Sequence, residues 1–236
     1  MKLSVIIPAY NEAATIAELL DLVLTQQGRP IGAGDPLTLE IIVVDDASTD
    51  ATAAIVAART EPAIHLIRHP VNRGKGAAIR SALAAVTGDA VIIQDADLEY
   101  DPSDYARVLG PMTTDGAKVV YGSRILGGNP RSYARFYWGG RFLSFLFNTL
   151  YGTRLTDLTT CYKAFRAETI LAIPLACEGF EFCPEVTARL ARRGIPITEV
   201  PIAYRPRSIS QGKKIRWHDG LTAVWTMLSL RWRPPA

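Results

Sequence analysis

Two apolar runs in the first hundred residues, IIVVDD at 41–46 and VIIQDAD at 91–97, pass almost directly from branched core residues into carboxylates. A strand without polar alternation is buried on both faces, as parallel strands between layers of helices are. Between and around these runs, strand-like and helix-like segments alternate through residue 100: KLSVIIPAY, AATIAELLDLVLTQ, LEIIVVDD, DATAAIVAAR, IHLIRHP, NRGKGAAIRSALAAV and DAVIIQDAD. That order predicts a parallel, doubly wound α/β sheet. Both acidic clusters then fall at carboxyl ends of strands, the edge where open α/β sheets bind ligands. Asp95, Asp97 and Glu99 stand two residues apart. Such like charges persist together where something positive neutralises them.

Local signals suggest Asn11 as cap of the first helix and Ser48 or Thr49 as cap of the second. After residue 118 the pattern changes. AKVVYGSR reads as a strand ending in Arg124, ARFYWGGRFLSFLFNTLYG as an aromatic and basic helix, and DLTTCYKAFR as a strand or turn returning to the sheet. A helix over 184–193, a strand over 197–204, a basic loop SISQGKKIRWHDG and a three-turn apolar helix LTAVWTMLSLRW complete the chain.

Charge divides the same way. Residues 1–117 carry 8 Lys/Arg against 16 Asp/Glu, and residues 118–236 carry 18 against 7. The second half is expected to handle anions such as phosphates or an anionic membrane surface. Nucleic acid is disfavoured by the acidic first half and by the absence of RNA- or DNA-binding motifs. The longest charge-free run, Phe142–Thr153, is 12 residues, too short to span a bilayer. MKLSVIIPAY reads as a strand, not a signal peptide, because its apolar run is short and broken by Pro8. The three cysteines, without metal-ligand spacing, read as free thiols of a cytoplasmic protein.

The segments VIIPAYNE, IIVVDDASTDAT, NRGKGAAIR and DADLEYDP resemble the inverting family-2 glycosyltransferases of GT-A fold. YGSR, DLTTCYKAFR, FEFCPEVTARLARRG, EVPIAYRPRS and GKKI are similar to the branch that makes polyprenyl-phosphate sugars, the dolichyl-phosphate mannosyltransferase and glucosyltransferase-like enzymes. The resemblance runs from Lys2 to about Asp219 and implies a mixed, mainly parallel GT-A sheet flanked by helices. It implies one domain over 1–216, its 1–117 half holding the nucleotide and its 118–216 half the acceptor. Residues 217–236 form a C-terminal amphipathic helix that suits a membrane interface.

It also implies roles. Asp97 is the principal ligand of Mg²⁺ or Mn²⁺, with Asp95 beside it near the ribose and Glu99, often Gln in relatives, contributing from its neighbouring position. The metal stabilises charge on the leaving diphosphate. Asp46 binds the nucleoside, and Pro8, Tyr10 and Glu12 line the first loop, where Tyr10 either stacks on the base or is an ordinary half-buried aromatic. Ala96 lies in the same donor-site motif. Lys75 of RGKG meets a phosphate, or the flanking glycines simply permit a tight turn. Arg205 and Lys213 contact the diphosphate or the acceptor phosphate.

Arg124, at a strand end, is a natural phosphate partner. The stretch 131–141, with Arg131 and Arg135 among aromatic residues, suits a lipid-phosphate acceptor. Such an acceptor is already an anion and needs no strong base. A sugar acceptor would need one, from Asp157, Glu181 or Glu185. The expected reaction is hexose transfer from a UDP-sugar, or from GDP-mannose, to a polyprenyl phosphate at the cytoplasmic face of the membrane. Transfer to a soluble or cell-envelope saccharide is the alternative.

Overall fold

The computed structural model describes residues 1–32, 36–129, 133–207 and 217–232, without the side chains of Arg135 and Trp217. Arg131 and Lys213 lie outside the described residues, so the expectations placed on them and on the Arg135 side chain have no counterpart below.

Among the described residues, seven strands form one sheet in the order β3-β2-β1-β4-β6-β5-β7. They are β1 (Lys2–Ala9), β2 (Thr38–Asp45), β3 (Ile64–Arg68), β4 (Ala90–Ile93), β5 (Val119–Ser123), β6 (Lys163–Arg166) and β7 (Thr198–Pro201). The first four are mutually parallel. β6 enters antiparallel between β4 and β5, and β5 pairs with β7 in parallel. The sheet is mixed and mainly parallel, and it is continuous through both halves of the chain.

Each face of the sheet buries a core. Leu3, Val5 and Ile7 of β1 meet helices α1 (Ile16–Leu24) and α4 (Tyr105–Thr114) on one side. Ile6, Ile42 and Val44 meet α3 (Lys75–Leu83) and α7 (Phe182–Arg192) on the other. Two short helices, α2 (Thr52–Ala57) and α6 (Ala167–Leu171), complete these layers. A third core joins α5 (Ala134–Tyr151) to α7 and α8 (Trp217–Trp232) through Phe147, Ala188, Met227 and Leu230.

Several local expectations give way to long-range bonds. β1 runs through Pro8, whose missing N–H the paired register tolerates. Asn11 does not cap α1. Its Oδ1 accepts from Thr49 N at 2.8 Å, while Ser48 Oγ accepts from Asn11 N at 2.9 Å, so the two strand-end loops bind each other. The side chain at the start of α2 is that of Asp50, which accepts from Thr52 N at 2.9 Å. Helix α4 had no counterpart in the sequence pattern, which Gly110 and Pro111 interrupt. The last helix spans 16 residues rather than three turns, because WHDG belongs to it and not to the preceding loop.

Candidate active site

Among the described residues, three non-glycine residues adopt left-handed backbone: Asn11 at φ 51°, Ala47 at φ 60° and Leu98 at φ 59°. They follow β1, β2 and β4, so all three strained positions lie at one edge of the sheet. Each costs about 1–3 kcal/mol, and such residues gather where a fold positions groups for function. The acidic clusters occupy the same edge.

Asp97 lies at the centre. Its Oδ1 accepts from Glu99 N at 3.1 Å and its Oδ2 from Arg207 Nη2 at 2.9 Å. Burial, followed by the charges of Asp95 and Glu99, pushes its carboxyl up to about 7 against the pull of Arg207. Asp95 is paired with Lys75 Nζ, which also donates to Cys161 Sγ at 3.0 Å. Burial opposes the Lys75 charge, but Asp95 and the neighbouring thiols hold the ammonium well above its ordinary range.

Lys75 thus faces Asp95. The flanking glycines have separate structural work: a Cβ on Gly74, at φ 89°, would stand 2.3 Å from the Glu178 carbonyl oxygen, and one on Gly76 would stand 2.9 Å from that of Cys177. The first amides of α3 are already used, Gly76 N and Ala77 N donating to the Gly179 and Glu178 carbonyls.

The remaining expected residues are distributed around Asp97. Glu12 accepts from Arg207 Nη1 at 3.1 Å, and Thr15 Oγ1 donates to the Ala96 carbonyl at 2.7 Å, tying the first loop to the Asp95–Asp97 turn. Glu99 turns its carboxylate toward the 204–207 segment, accepting from Tyr204 OH at 2.8 Å and Arg207 N at 2.7 Å. Arg205 uses its backbone N–H on the Glu99 carbonyl and exposes its side chain. Pro8 is half-buried within β1 and Tyr10 is exposed just beyond it.

Asp46 is committed to the fold: it accepts from His69 Nδ1 at 2.6 Å, Arg73 N at 2.9 Å and Gly74 N at 2.7 Å, and so organises the loop before α3. Its neighbour Asp45, absent from the sequence-based site, is fully buried, and among the described residues neither of its carboxylate oxygens has a hydrogen-bond partner. Arg68 Nε stands 3.8 Å away. Beside this pair is a shallow depression lined by Ala47, Ser48, Arg68, His69 and Pro70. A buried carboxylate left without donors is costly unless a ligand supplies them.

A second cluster lies across the crevice. Asp157 receives Arg124 Nε and Nη2, each at 2.7 Å, and Arg124 N at 3.1 Å. Burial works against this carboxylate's charge, but the Arg124 guanidinium holds its pKa below the ordinary carboxylate range. Arg124 also lies 5.2 Å over the Tyr204 ring. Tyr204 in turn packs on Tyr100, which stacks on Tyr162 at 5.2 Å. An aromatic column therefore connects the two clusters. The other candidate bases are occupied too. Glu181 accepts from the amides of Glu178 and Gly179, and Glu185 accepts from those of Ala176 and Cys177 and from Arg189 Nε.

Among the described residues, no three His, Cys, Asp or Glu side chains converge as a ready-made metal cage. Asp97 nevertheless suits a hard cation: it offers carboxylate oxygens in a buried, over-acidic setting with one guanidinium as counter-charge. Mg²⁺ uses one or two carboxylates and completes its shell with phosphate oxygens and water.

A mixed, mainly parallel sheet with paired carboxylates at this edge is shared with the GT-A glycosyltransferases. The chain belongs to glycosyl transferase family 2, whose profile matches residues 4–171. It is 32% identical to the undecaprenyl-phosphate mannosyltransferase of Micrococcus luteus over 98% of this chain and 99% of that one. It is 31% identical to the polyprenol monophosphomannose synthase of Mycolicibacterium smegmatis, covering 89% of this chain and 79% of that one. Several further relatives are longer, and the chain spans 62% to 65% of them. Among solved structures it is similar to the glucosyl-3-phosphoglycerate synthase of Mycobacterium tuberculosis in complex with Mn²⁺, UDP-glucose and phosphoglyceric acid. The identity there is 25% and the TM-score 0.75, over 99% of this chain and 80% of that one.

Proposed function

We propose that this glycosyltransferase moves a hexose, with inversion, from a nucleotide diphosphate sugar to a polyprenyl phosphate. The observation that carries the acceptor is the state of the candidate bases. Asp157, Glu181 and Glu185 are all engaged by protein donors. An alcohol must lose a proton to attack, which needs a free base near the reacting atom. A phosphate monoester is already a nucleophilic anion and needs placement and charge compensation. The names of the relatives from Micrococcus luteus and Mycolicibacterium smegmatis support the same acceptor class. The saccharide alternative would need one of these three engaged carboxylates to act as the base.

On the donor side, Asp45 is the group that receives a nucleoside N–H or hydroxyl, and Asp46 shapes the loop beside it. Asp97, with Asp95 behind it, would hold Mg²⁺ or Mn²⁺, which stabilises the charge developing on the leaving diphosphate. Arg124, fixed by Asp157, supplies positive charge to the acceptor phosphate. A UDP-sugar is the favoured donor, as in the solved neighbour with UDP-glucose, and GDP-mannose is the alternative. Residues 1–117 would hold the donor and residues 118–216 the acceptor.

The lipid is met at a membrane surface. Trp138, Phe142 and Phe145 on α5 stand at i, i+4 and i+7, and Leu221, Trp225 and Trp232 on α8 at i, i+4 and i+11. Each is more than half exposed. Such spacings place each set on one face of its helix, and exposed aromatic stripes suit the headgroup boundary of a bilayer. No helix among the described residues is long and apolar enough to cross a membrane. Attachment at the cytoplasmic face would therefore be peripheral.

Calorimetric titration of UDP and GDP with and without Mn²⁺ tests the donor: one nucleotide is expected to bind in a metal-dependent manner. Transfer is then compared on undecaprenyl phosphate and on undecaprenol. Activity on the phosphate alone supports the base-free mechanism, and equal activity on the alcohol overturns it. Co-sedimentation with anionic vesicles, lost on Phe145→Ser with Trp225→Ser, tests the membrane face. Retained sedimentation would remove it.

A further inference from the structure

Arg207 stands outside the residues assigned from sequence, yet it bonds to three carboxylates of the acidic edge, Glu12, Asp97 and Glu99. Nη2 donates to Asp97 Oδ2 at 2.9 Å and to Glu12 Oε1 at 3.3 Å, Nη1 donates to Glu12 Oε2 at 3.1 Å, and the backbone N–H donates to Glu99 Oε1 at 2.7 Å. Its side chain is 16% exposed. One guanidinium therefore spans the first loop and the Asp95–Asp97 turn. The fit is incomplete, because Nε is buried and has no hydrogen-bond partner among the described residues. An unsatisfied buried donor weakens an otherwise favourable ion pair.

The contact also occupies the oxygen a cation needs. Asp97 Oδ1 is taken by the Glu99 amide and Oδ2 by Arg207. A divalent ion coordinating Asp97 competes with Nη2 for Oδ2 and repels the guanidinium at close range, where burial leaves the charges poorly screened. We propose that Arg207 is a displaceable counter-ion: it neutralises Asp97 and Glu12 until a divalent cation binds Asp97, and that binding releases its guanidinium into the crevice as a free positive group for a phosphate. This rests on the metal reading given above and extends it, since it makes metal binding the event that exposes a second cation.

The test uses the wild-type chain with phenylglyoxal, which modifies accessible guanidinium groups, and peptide mass spectrometry to follow each arginine with and without saturating Mn²⁺. Arg189 is the internal reference: it is 17% exposed and ion-paired to Glu185. Mn²⁺ is expected to speed modification of Arg207 severalfold and leave Arg189 unchanged. Bound Mn²⁺, detected by electron paramagnetic resonance, with an unchanged or slower rate at Arg207 overturns the exchange while leaving the metal site standing. No bound Mn²⁺ removes the metal reading and this inference together. As a second measurement, Arg207→Gln is expected to bind Mn²⁺ about tenfold more tightly in the absence of nucleotide, as removal of a competing charge at contact distance predicts. Equal or weaker binding by a variant with an unaltered melting transition counts against the proposal.

Discussion

Replacing Asp157 by Asn separates positioning from proton transfer. Asp157 is 4% exposed and receives three hydrogen bonds from Arg124. Asn keeps the shape but loses the charge, and its NH₂ must face an Arg124 donor. Leaving one member of a buried pair uncompensated costs about 3–5 kcal/mol, and the oxygen that Asn retains recovers part of that, so a loss of about 2–4 kcal/mol is expected. For a chain of 236 residues each kcal/mol shifts the melting temperature by about 2–4 °C, so the drop is on the order of 10 °C.

The kinetic signature is equally specific. The folded-state pKa of Asp157 is depressed. Its contribution to stability is therefore complete above the unfolded carboxylate range, near pH 4, and is lost as pH falls through the lower folded value. Between pH 5 and 9 it stays ionised, so it puts no limb into the rate profile. Asp157→Asn should lower kcat/KM through a misplaced Arg124 while the pH–rate curve keeps its shape. A neutralised pair, Arg124→Gln with Asp157→Asn, should recover part of the lost stability through coupling. An unchanged melting temperature, together with a loss of about 10²–10⁴ in kcat and disappearance of an acid limb, is the pattern of a general base and refutes the reasoning.

Three further outcomes follow from other parts of the molecule. Asp97→Ala should abolish Mn²⁺-dependent turnover while leaving the circular dichroism spectrum intact, and undiminished turnover would remove the central assignment. Glu40 clamps β1 to β2 and to the turn before β4: burial alone would raise its carboxyl, but bonds from Ser4, Thr87 and Lys2 bring it down to about 2. That shift from 4.5 amounts to about 3 kcal/mol, present above pH 4.5 and lost on acidification toward pH 2, and urea unfolding of Glu40→Gln should show that slope flattened. Gly74→Ala should destabilise by more than about 2 kcal/mol, since it adds a backbone clash with Glu178 to a left-handed φ, and a melting curve like wild type would show the 177–179 segment yielding freely.

The strands of the parallel half were legible because burial on both faces leaves an uninterrupted apolar signature, as in IIVV of β2 and AVII of β4. Their acidic ends pointed to the candidate site by the same logic. Which carboxylate does what was not legible. Asp45 and Asp46 are adjacent in sequence, and only the return of residues 69–74 decides that Asp46 is satisfied and Asp45 is not. Arg207 bonds to Asp97 across 110 positions, beyond any local pattern. The misread caps have the same cause, since Asn11 and Thr49 satisfy one another across 38 positions instead of capping their own helices. RPR at 205–207 was a signal, but alternation gave no reason to prefer its second arginine.

The charge asymmetry of the chain takes on a more exact meaning once those pairings are known. An excess of cations in the second half suggested a surface waiting for anions. Yet Arg207 of that half is spent on Glu12 and Asp97 of the first, and Arg124 is spent on Asp157. Lys75 is likewise held by Asp95. The acidic edge is thus only partly neutralised by cations of the protein itself, in three pairings of unequal quality. All three side chains are largely covered, and among the described residues Arg207 is the member of the three with a buried nitrogen, Nε, that has no hydrogen-bond partner. If a dication and a diphosphate enter together, they add nearly balanced charge, and the pair that gives way is the one with the poorest internal satisfaction. That difference favours Arg207 as the exchangeable cation we propose, with Lys75 as the partner of Asp95 and Arg124 as the charge proposed for the acceptor phosphate.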